Sequence, residues 1–335
     1  MLYDCFCFFN ELDLLEIRLN ELEEVVDKFV LVEAELTHNG DSKPLYFEDN
    51  KSRFAKFLGK IVHIVVHKEE FAPAMTGRTF QEQAWMRENI QRNAIAKGLK
   101  NAQDDDLIMV SDLDEIPRAT EVATAKEAIK DGEVVGLILN AYNFYANLRN
   151  ASAPYWGNDP KVAKIKTFKD EKSYASSPYN HFILREINTG PTATRFRYIR
   201  PSRRLENAGW HFSYLGGIDA AVAKVKAFNE VGLYGRDDLH KYVEKCITSG
   251  KALFGGDRFL PEIVDDGYPR LLLNNIDRFS HLFVPCQENK RTILRCLFAW
   301  YKYMGICRRL VMRVLFCLTP KWVRTLIKRM LGYNF

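Results

Sequence analysis

The chain has 335 residues, 47% of them hydrophobic and 13% aromatic, which supports one large α/β domain or two smaller ones and excludes a disordered chain. The formal net charge of +5 conceals an asymmetry: residues 286–335 hold eleven Lys/Arg against a single acid, Glu288, so the tail is strongly basic and the preceding residues are net acidic. No run of about 20 apolar residues occurs, so no spanning helix is expected, and seven cysteines without a C-x-x-C pair lack zinc spacing and read as small buried hydrophobes in a reducing compartment.

In chain order, Tyr3–Phe9 reads as an apolar strand with Cys5 and Cys7 on one face. Asn10–Glu24 follows as an amphipathic helix with Leu12, Leu15, Leu19 and Leu22 on its buried stripe. Lys28–Ala34 and Lys60–Val66 are two further strands, and Phe80–Leu99 is a helix. Leu107–Ser111 is a fourth strand, Thr120–Lys130 a helix, and Val134–Phe144 one long strand. This β-α-β-β-α-β alternation predicts a mixed, mostly parallel sheet covered by helices. From 145 to 205 the pattern weakens into short strands and loops, with Arg195–Arg200 expected as a strand with one basic and one apolar face. Ile218–Phe228 and Asp238–Ser249 read as helices, the second stopped by Gly250.

The stretch Leu107-Ile-Met-Val-Ser-Asp-Leu-Asp-Glu-Ile-Pro117 carries the chemistry. Pro117 ends the ladder, so Asp112 and Asp114 are expected just outside the carboxyl end of a strand, where open α/β sheets bind ligands. Two carboxylates one residue apart repel unless a cation lies between them. Mg²⁺ or Mn²⁺ suits such oxygen ligands and completes its shell with substrate phosphates. The bland alternative is a pair of solvated turn residues.

The basic tail reads as helix over Asn289–Leu318, with Cys286, Cys296, Cys307 and Cys317 nearly on one stripe, and a second helix from Thr319-Pro320 to about Leu331. Its uncharged run, Val314–Pro320, cannot span a bilayer but fits a helix lying at the headgroups. Trp300, Trp322 and the tyrosines suit that interface, and each Lys or Arg near anionic lipid contributes about 1 kcal/mol. The alternative is a basic hairpin packed on the acidic body. No nucleic-acid motif accompanies the charge, so nucleic acid is not an expected partner. No charged n-region and apolar h-region precede the first strand, so the body is expected in the cytoplasm, peripheral on the cytosolic face of a membrane.

Several motifs together resemble glycosyltransferase family 17. Phe8-Phe-Asn-Glu-Leu-Asp-Leu-Leu-Glu-Ile-Arg-Leu19 is similar to its opening motif, and Phe29-Val-Leu-Val-Glu-Ala34 to its second strand. Lys43-Pro-Leu-Tyr-Phe47, Ser111–Pro117 and Gly209-Trp-His-Phe-Ser213 resemble the segments that follow in that order. The resemblance covers roughly residues 3–260. It implies a GT-A fold, a single Rossmann-like domain that here takes up 1–285, whereas the basic tail at 286–335 is read from its charge and has no obvious equivalent in the characterised members. It further implies a nucleotide-sugar donor (UDP-GlcNAc in characterised members), a divalent cation and inversion at the anomeric carbon. A cytosolic body held to a membrane fits a glycan acceptor that is lipid-linked.

Roles follow from the chemistry. A cation on Asp112 and Asp114 would neutralise the leaving diphosphate. His211 is either a third metal ligand or a hydrogen-bonded structural histidine, and Trp210 either stacks on a sugar or fills the core. Glu230, and then Asp257, are the candidates for the general base that inversion requires. Asn10 and Glu33 fall at the carboxyl ends of the first strands and are candidates for nucleotide binding. Arg92 pairs with Glu88 one helical turn away or contacts the diphosphate. A metal-dependent nucleotidyltransferase is the competing enzyme class, but Phe9-Asn-Glu-Leu12 lacks its glycine-rich phosphate loop. A non-catalytic membrane adaptor is the third class.

Overall fold

The computed structural model describes residues 1–72, 75–174, 190–228 and 232–284. The basic tail and Glu230 therefore lie outside the described residues. In chain order the strands are β1 (Leu2–Phe8), β2 (Lys28–Ala34), β3 (Ile61–Val66), β4 (Leu107–Val110), β5 (Glu115–Pro117), β6 (Val134–Leu137), β7 (Asn140–Asn143), β8 (Leu148–Asn150), β9 (Lys161–Lys164), β10 (Arg203–Leu205), β11 (Gly209–Ser213) and β12 (Phe259–Pro261). The longer helices are α1 (Leu12–Leu22), α2 (Phe80–Asn93), α3 (Ala119–Ala128), α4 (Gly217–Ala227) and α5 (Leu239–Thr248).

Seven strands form one sheet in the order β10-β6-β9-β4-β1-β2-β3. Its central pairs, β1 with β2, β1 with β4 and β2 with β3, are parallel, and only β9 runs against its neighbours. This is the expected mixed, mostly parallel sheet of a Rossmann-like domain. Both of its faces are covered, which explains the unbroken apolar runs. Leu2, Phe6, Phe8, Phe29, Leu31, Leu107 and Met109 pack towards α1. Tyr3, Cys5, Val30, Val32, Ile108 and Val110 pack into the opposite layer. The register is set by this alternation, because a one-residue slip would exchange the two layers.

A second sheet, β12-β8-β7-β11-β5, is mostly antiparallel. Its existence corrects the reading of Val134–Phe144 as one strand. Val134–Leu137 pairs with β9 and β10, and the chain then crosses, so that Asn140–Asn143 pairs with β11. Two further readings are corrected. Arg195–Arg200 is not a strand: Ala193–Arg197 is a short helix capped by the Thr192 hydroxyl, which accepts from the Arg195 N–H at 3.2 Å. Arg197 is drawn into the interior by Glu115, whereas Arg195 lies over the Tyr174 ring, so burial of one arginine overrides the alternating pattern. The helix Phe80–Leu99 ends at Asn93, where the Ala94 N–H is shared between the Ile90 and Gln91 carbonyls, and one further turn follows at Ile95–Gly98. Gly250, at φ +62°, ends α5 as expected, and the Lys251 N–H reaches back to the Cys246 carbonyl.

Candidate active site

The parallel strands β1, β2 and β4 all end at the same edge of the large sheet. The segments that leave them, Phe9 to Glu11, Leu36 to His38 and Asp112 to Asp114, form one wall of a cavity of about 460 Å³. Helix α2 contributes Glu88, Gln91 and Arg92, and α4 contributes Lys224 and Ala227, followed by Phe228. The second sheet supplies Asn143, Asn150, His211, Ser213 and Phe259, with Asp257 from the loop before β12. At one end Phe9, His38 and Phe228 form an aromatic wall, with Phe228 edge-on to Phe9 at 5.4 Å and to His38 at 4.6 Å.

Asp112 and Asp114 both face this cavity, as the sequence predicts for a loop outside a strand end. Arg92 donates to Asp112 at 2.8 Å, and Arg197 lies 3.5 Å from its other oxygen. Burial pushes the Asp112 carboxyl up, but the two guanidiniums outweigh it and hold it at about 2. Lys224 donates to Asp114 at 2.7 Å, and His211 Nε2 lies 3.6 Å from its second oxygen. Burial again opposes ionisation, and Lys224 with His211 holds Asp114 well below the usual carboxylate range. The neighbouring Glu115 is fully buried, and burial raises it despite Arg197. It accepts from the Asp112 N–H at 3.0 Å and from Trp156 Nε1 at 2.5 Å.

The loop is held from beneath by Arg18. This side chain is fully buried on α1 and bidentate to the equally buried Asp4, at 2.6 and 2.8 Å. Its remaining nitrogen, Nη1, donates to the carbonyls of Asp112 at 2.9 Å, Leu113 at 3.3 Å and Glu115 at 2.7 Å, and Nη2, besides meeting Asp4, donates to Ser111 Oγ at 2.6 Å. One guanidinium therefore fixes the whole acidic turn.

The other expected residues divide. Arg92 makes the expected pair with Glu88 at 2.8 Å and also donates to Asp112 at the cavity wall. On β11, alternation sends His211 and Ser213 into the cavity and Trp210 and Phe212 into the core. Trp210 is stacked by the Arg118 guanidinium at 4.1 Å and does not line the cavity, so of its two readings it takes core packing. His211 instead stacks on Trp156, with ring centroids 4.0 Å apart. The glycine of this motif is required by proximity: a Cβ on Gly209 would lie 2.2 Å from the Ile116 carbonyl of β5. Asp257 lines the cavity and accepts from Asn150 Nδ2 at 2.8 Å. Glu33 is fully buried away from the cavity, accepting from the Phe47 N–H and from His63, with Lys43 at 3.6 Å. Asn10 sits at the strand end, but its neighbour Glu11 is the residue that faces in.

Sequence reading missed Lys224, Trp156, Arg197 and Asn143. Asn143 lines the cavity, and its Oδ1 is buried without a partner among the described residues. As donors, Asp112, Asp114 and His211 suit a hard divalent cation and face one cavity. The cationic side chains of Arg92, Arg197 and Lys224 take up oxygens of the two aspartates, and among the described residues no three His, Cys, Asp or Glu side chains are drawn together as a metal cage.

Comparison with known proteins places these motifs. The family model for glycosyltransferase family 17 matches residues 1–189. Human β-1,4-mannosyl-glycoprotein 4-β-N-acetylglucosaminyltransferase is 25% identical over 304 residues, covering 84% of this chain and 55% of that protein. The rat enzyme of the same name is 25% identical over 305 residues, covering 85% and 55%. The chain thus spans about half the length of the curated relatives it matches. Among solved structures, a galactosyltransferase bound to donor and acceptor sugar analogues covers 87% of this chain and 99% of its own, at 12% identity and a TM-score of 0.32. Glucosyl-3-phosphoglycerate synthase of M. tuberculosis covers 82% and 92%, at 13% identity and a TM-score of 0.29, and neither score is high enough to bear on function. With the family model spanning more than half of the sequence, including the acidic turn, the chain belongs to glycosyltransferase family 17.

Proposed function

We propose that the cavity binds a nucleotide sugar, UDP-GlcNAc, and transfers its sugar with inversion to a glycan acceptor. The observation that carries this reading is the convergence of Asp112, Asp114 and Asp257 on one cavity at the carboxyl ends of β1, β2 and β4. The names of the curated relatives favour GlcNAc as the sugar.

A divalent cation, Mn²⁺ or Mg²⁺, held by Asp112, Asp114 and His211 would supply Lewis-acid neutralisation of the leaving diphosphate. The aromatic wall of Phe9, His38 and Phe228 offers a face for the nucleobase. Arg92 lies beside Asp112 to meet phosphate charge, and Asn143 Oδ1 accepts from a sugar hydroxyl. Asp257 is the group to take the acceptor's proton: Asn150 occupies one carboxylate oxygen and orients the other. Asp257→Asn is expected to lower kcat about 10²–10³-fold with little change in donor KM. If Glu230→Gln does so instead and Asp257→Asn does not, Glu230 is the base. The direct test is a transfer assay across UDP-GlcNAc, UDP-galactose, UDP-glucose and GDP-mannose; UDP-GlcNAc is expected to dominate, and transfer from another sugar only would reassign the donor.

The basic tail suggests where the acceptor is met. Eleven Lys/Arg interleaved with Trp, Tyr and Leu suit an anionic membrane surface and a lipid-linked saccharide on its cytosolic face. Flotation with anionic liposomes checks this: the full chain should partition and a chain ending at 285 should not, whereas equal partition would remove the role from the tail.

A further inference from the structure

The two carboxylates of the acidic turn are paired differently. Asp112 is met by Arg92 and Arg197, and both arginines have other carboxylate partners, in Glu88 and Glu115. Arg197 also donates to the Asn158 and Asp159 carbonyls, so these guanidiniums are fixed in place. Lys224 is tied less firmly. It holds Asp114 at 2.7 Å, and its second carboxylate contact is Glu11 at 3.5 Å.

Lys224 reaches the cavity from α4, and the end of that helix is pinned to the loop after β2. Asn39 Nδ2 donates to the Lys226 and Phe228 carbonyls at 2.7 and 2.8 Å. The backbone under Lys224 is thus anchored, and its ammonium, 5.6 Å from the Tyr214 and Phe228 ring centroids, sits at the end of a four-carbon stem with several rotatable bonds. An ammonium on Asp114 competes with a divalent cation for the same oxygen. An anionic phosphate in the cavity competes in turn for the ammonium, as a charge-assisted partner of opposite sign.

We propose that Lys224 is a built-in counter-ion and a ligand for the donor's phosphates: it holds Asp114 in the donor-free protein and passes to phosphate oxygens when Asp114 turns to a divalent cation. The identity of the anion rests on the transferase reading above; the competition at Asp114 does not.

The test uses the full chain and two probes, Mn²⁺ alone, read by electron paramagnetic resonance, and UDP at saturating Mn²⁺, read by calorimetry. Lys224→Met should bind Mn²⁺ about tenfold tighter than wild type and UDP about tenfold weaker, and Lys224→Arg should resemble wild type in both. Unchanged or weaker Mn²⁺ binding by Lys224→Met overturns the counter-ion role, and unchanged UDP binding overturns the phosphate role. Should the methionine variant fail to fold, ammonium resonances of ¹⁵N-lysine wild-type protein decide. The Lys224 signal should be protected from exchange without metal and lose protection on adding Mg²⁺; a signal indifferent to Mg²⁺ overturns the proposal. If wild type binds no UDP, the transferase reading fails, and the Mn²⁺ comparison still decides whether Lys224 guards Asp114.

Discussion

Asp114→Asn is expected to lower transfer about 10²–10³-fold, because it removes the charge that would hold the cation at the leaving diphosphate. The substitution is nearly isosteric, so the loss should fall on kcat and on metal affinity while the fold persists. Its pH behaviour provides a second reading. Asp114 and Asp112 both have folded-state values below the ordinary carboxylate range. Their pairing with Lys224, Arg92 and Arg197 therefore stabilises the protein above about pH 4, and this contribution is lost as pH falls through the folded values, near 2 for Asp112. Thermal melts of wild type should decline over that interval, and those of Asp114→Asn should decline less. Wild-type turnover in the variant, or an identical acid profile, would count against the pairing described.

Arg18→Met carries the largest expected effect on stability. Arg18 and Asp4 are both fully buried, so the variant leaves an uncompensated carboxylate inside the core. Breaking such a pair costs about 3–5 kcal/mol, enough to lower Tm by roughly 10 °C in a domain of this size. The same variant strips the donor from the Asp112, Leu113 and Glu115 carbonyls. The double variant Asp4→Leu/Arg18→Met separates these effects. Removing both charges should restore much of the lost Tm, but not transfer, because the acidic turn remains unclamped. Recovery of activity together with Tm would reduce Arg18 to a packing element.

Arg18 also shows what the sequence disclosed and what it concealed. Leu14, Leu15, Leu19 and Leu22 are buried on α1, and Arg18 falls on the same face. A charge on an apolar helical stripe signals a buried partner, and here that partner is Asp4 within an otherwise apolar strand. The first sheet was legible because β1, β2 and β4 are covered on both faces and so read as continuous apolar runs. The acidic turn was legible because it ends one of them. The second sheet was not: β5, β8 and β12 are three residues each, too short for any periodicity.

The cations of the site were hidden for a different reason. Lys224 and Arg197 lie 110 and 82 residues from their partners Asp114 and Glu115, and only the packing of α4 and the helix at Ala193–Arg197 brings them in. Glu33 misled because its strand ends at the cavity, whereas its side chain turns to Phe47 and His63. Trp210 and His211 show the limit of motif reading most simply, since alternation along β11 assigns one to the core and the other to the cavity.

The central claim is that the cavity above β1, β2 and β4 is a nucleotide-sugar site. It is tested most directly by incubating the purified chain with a panel of nucleotide sugars and Mn²⁺ and measuring release of the nucleoside diphosphate. Slow release of UDP from UDP-GlcNAc, abolished by Asp114→Asn, is the expected result. If no nucleotide sugar is bound or cleaved, or if cleavage is indifferent to Asp114, the assignment of this cavity is contradicted.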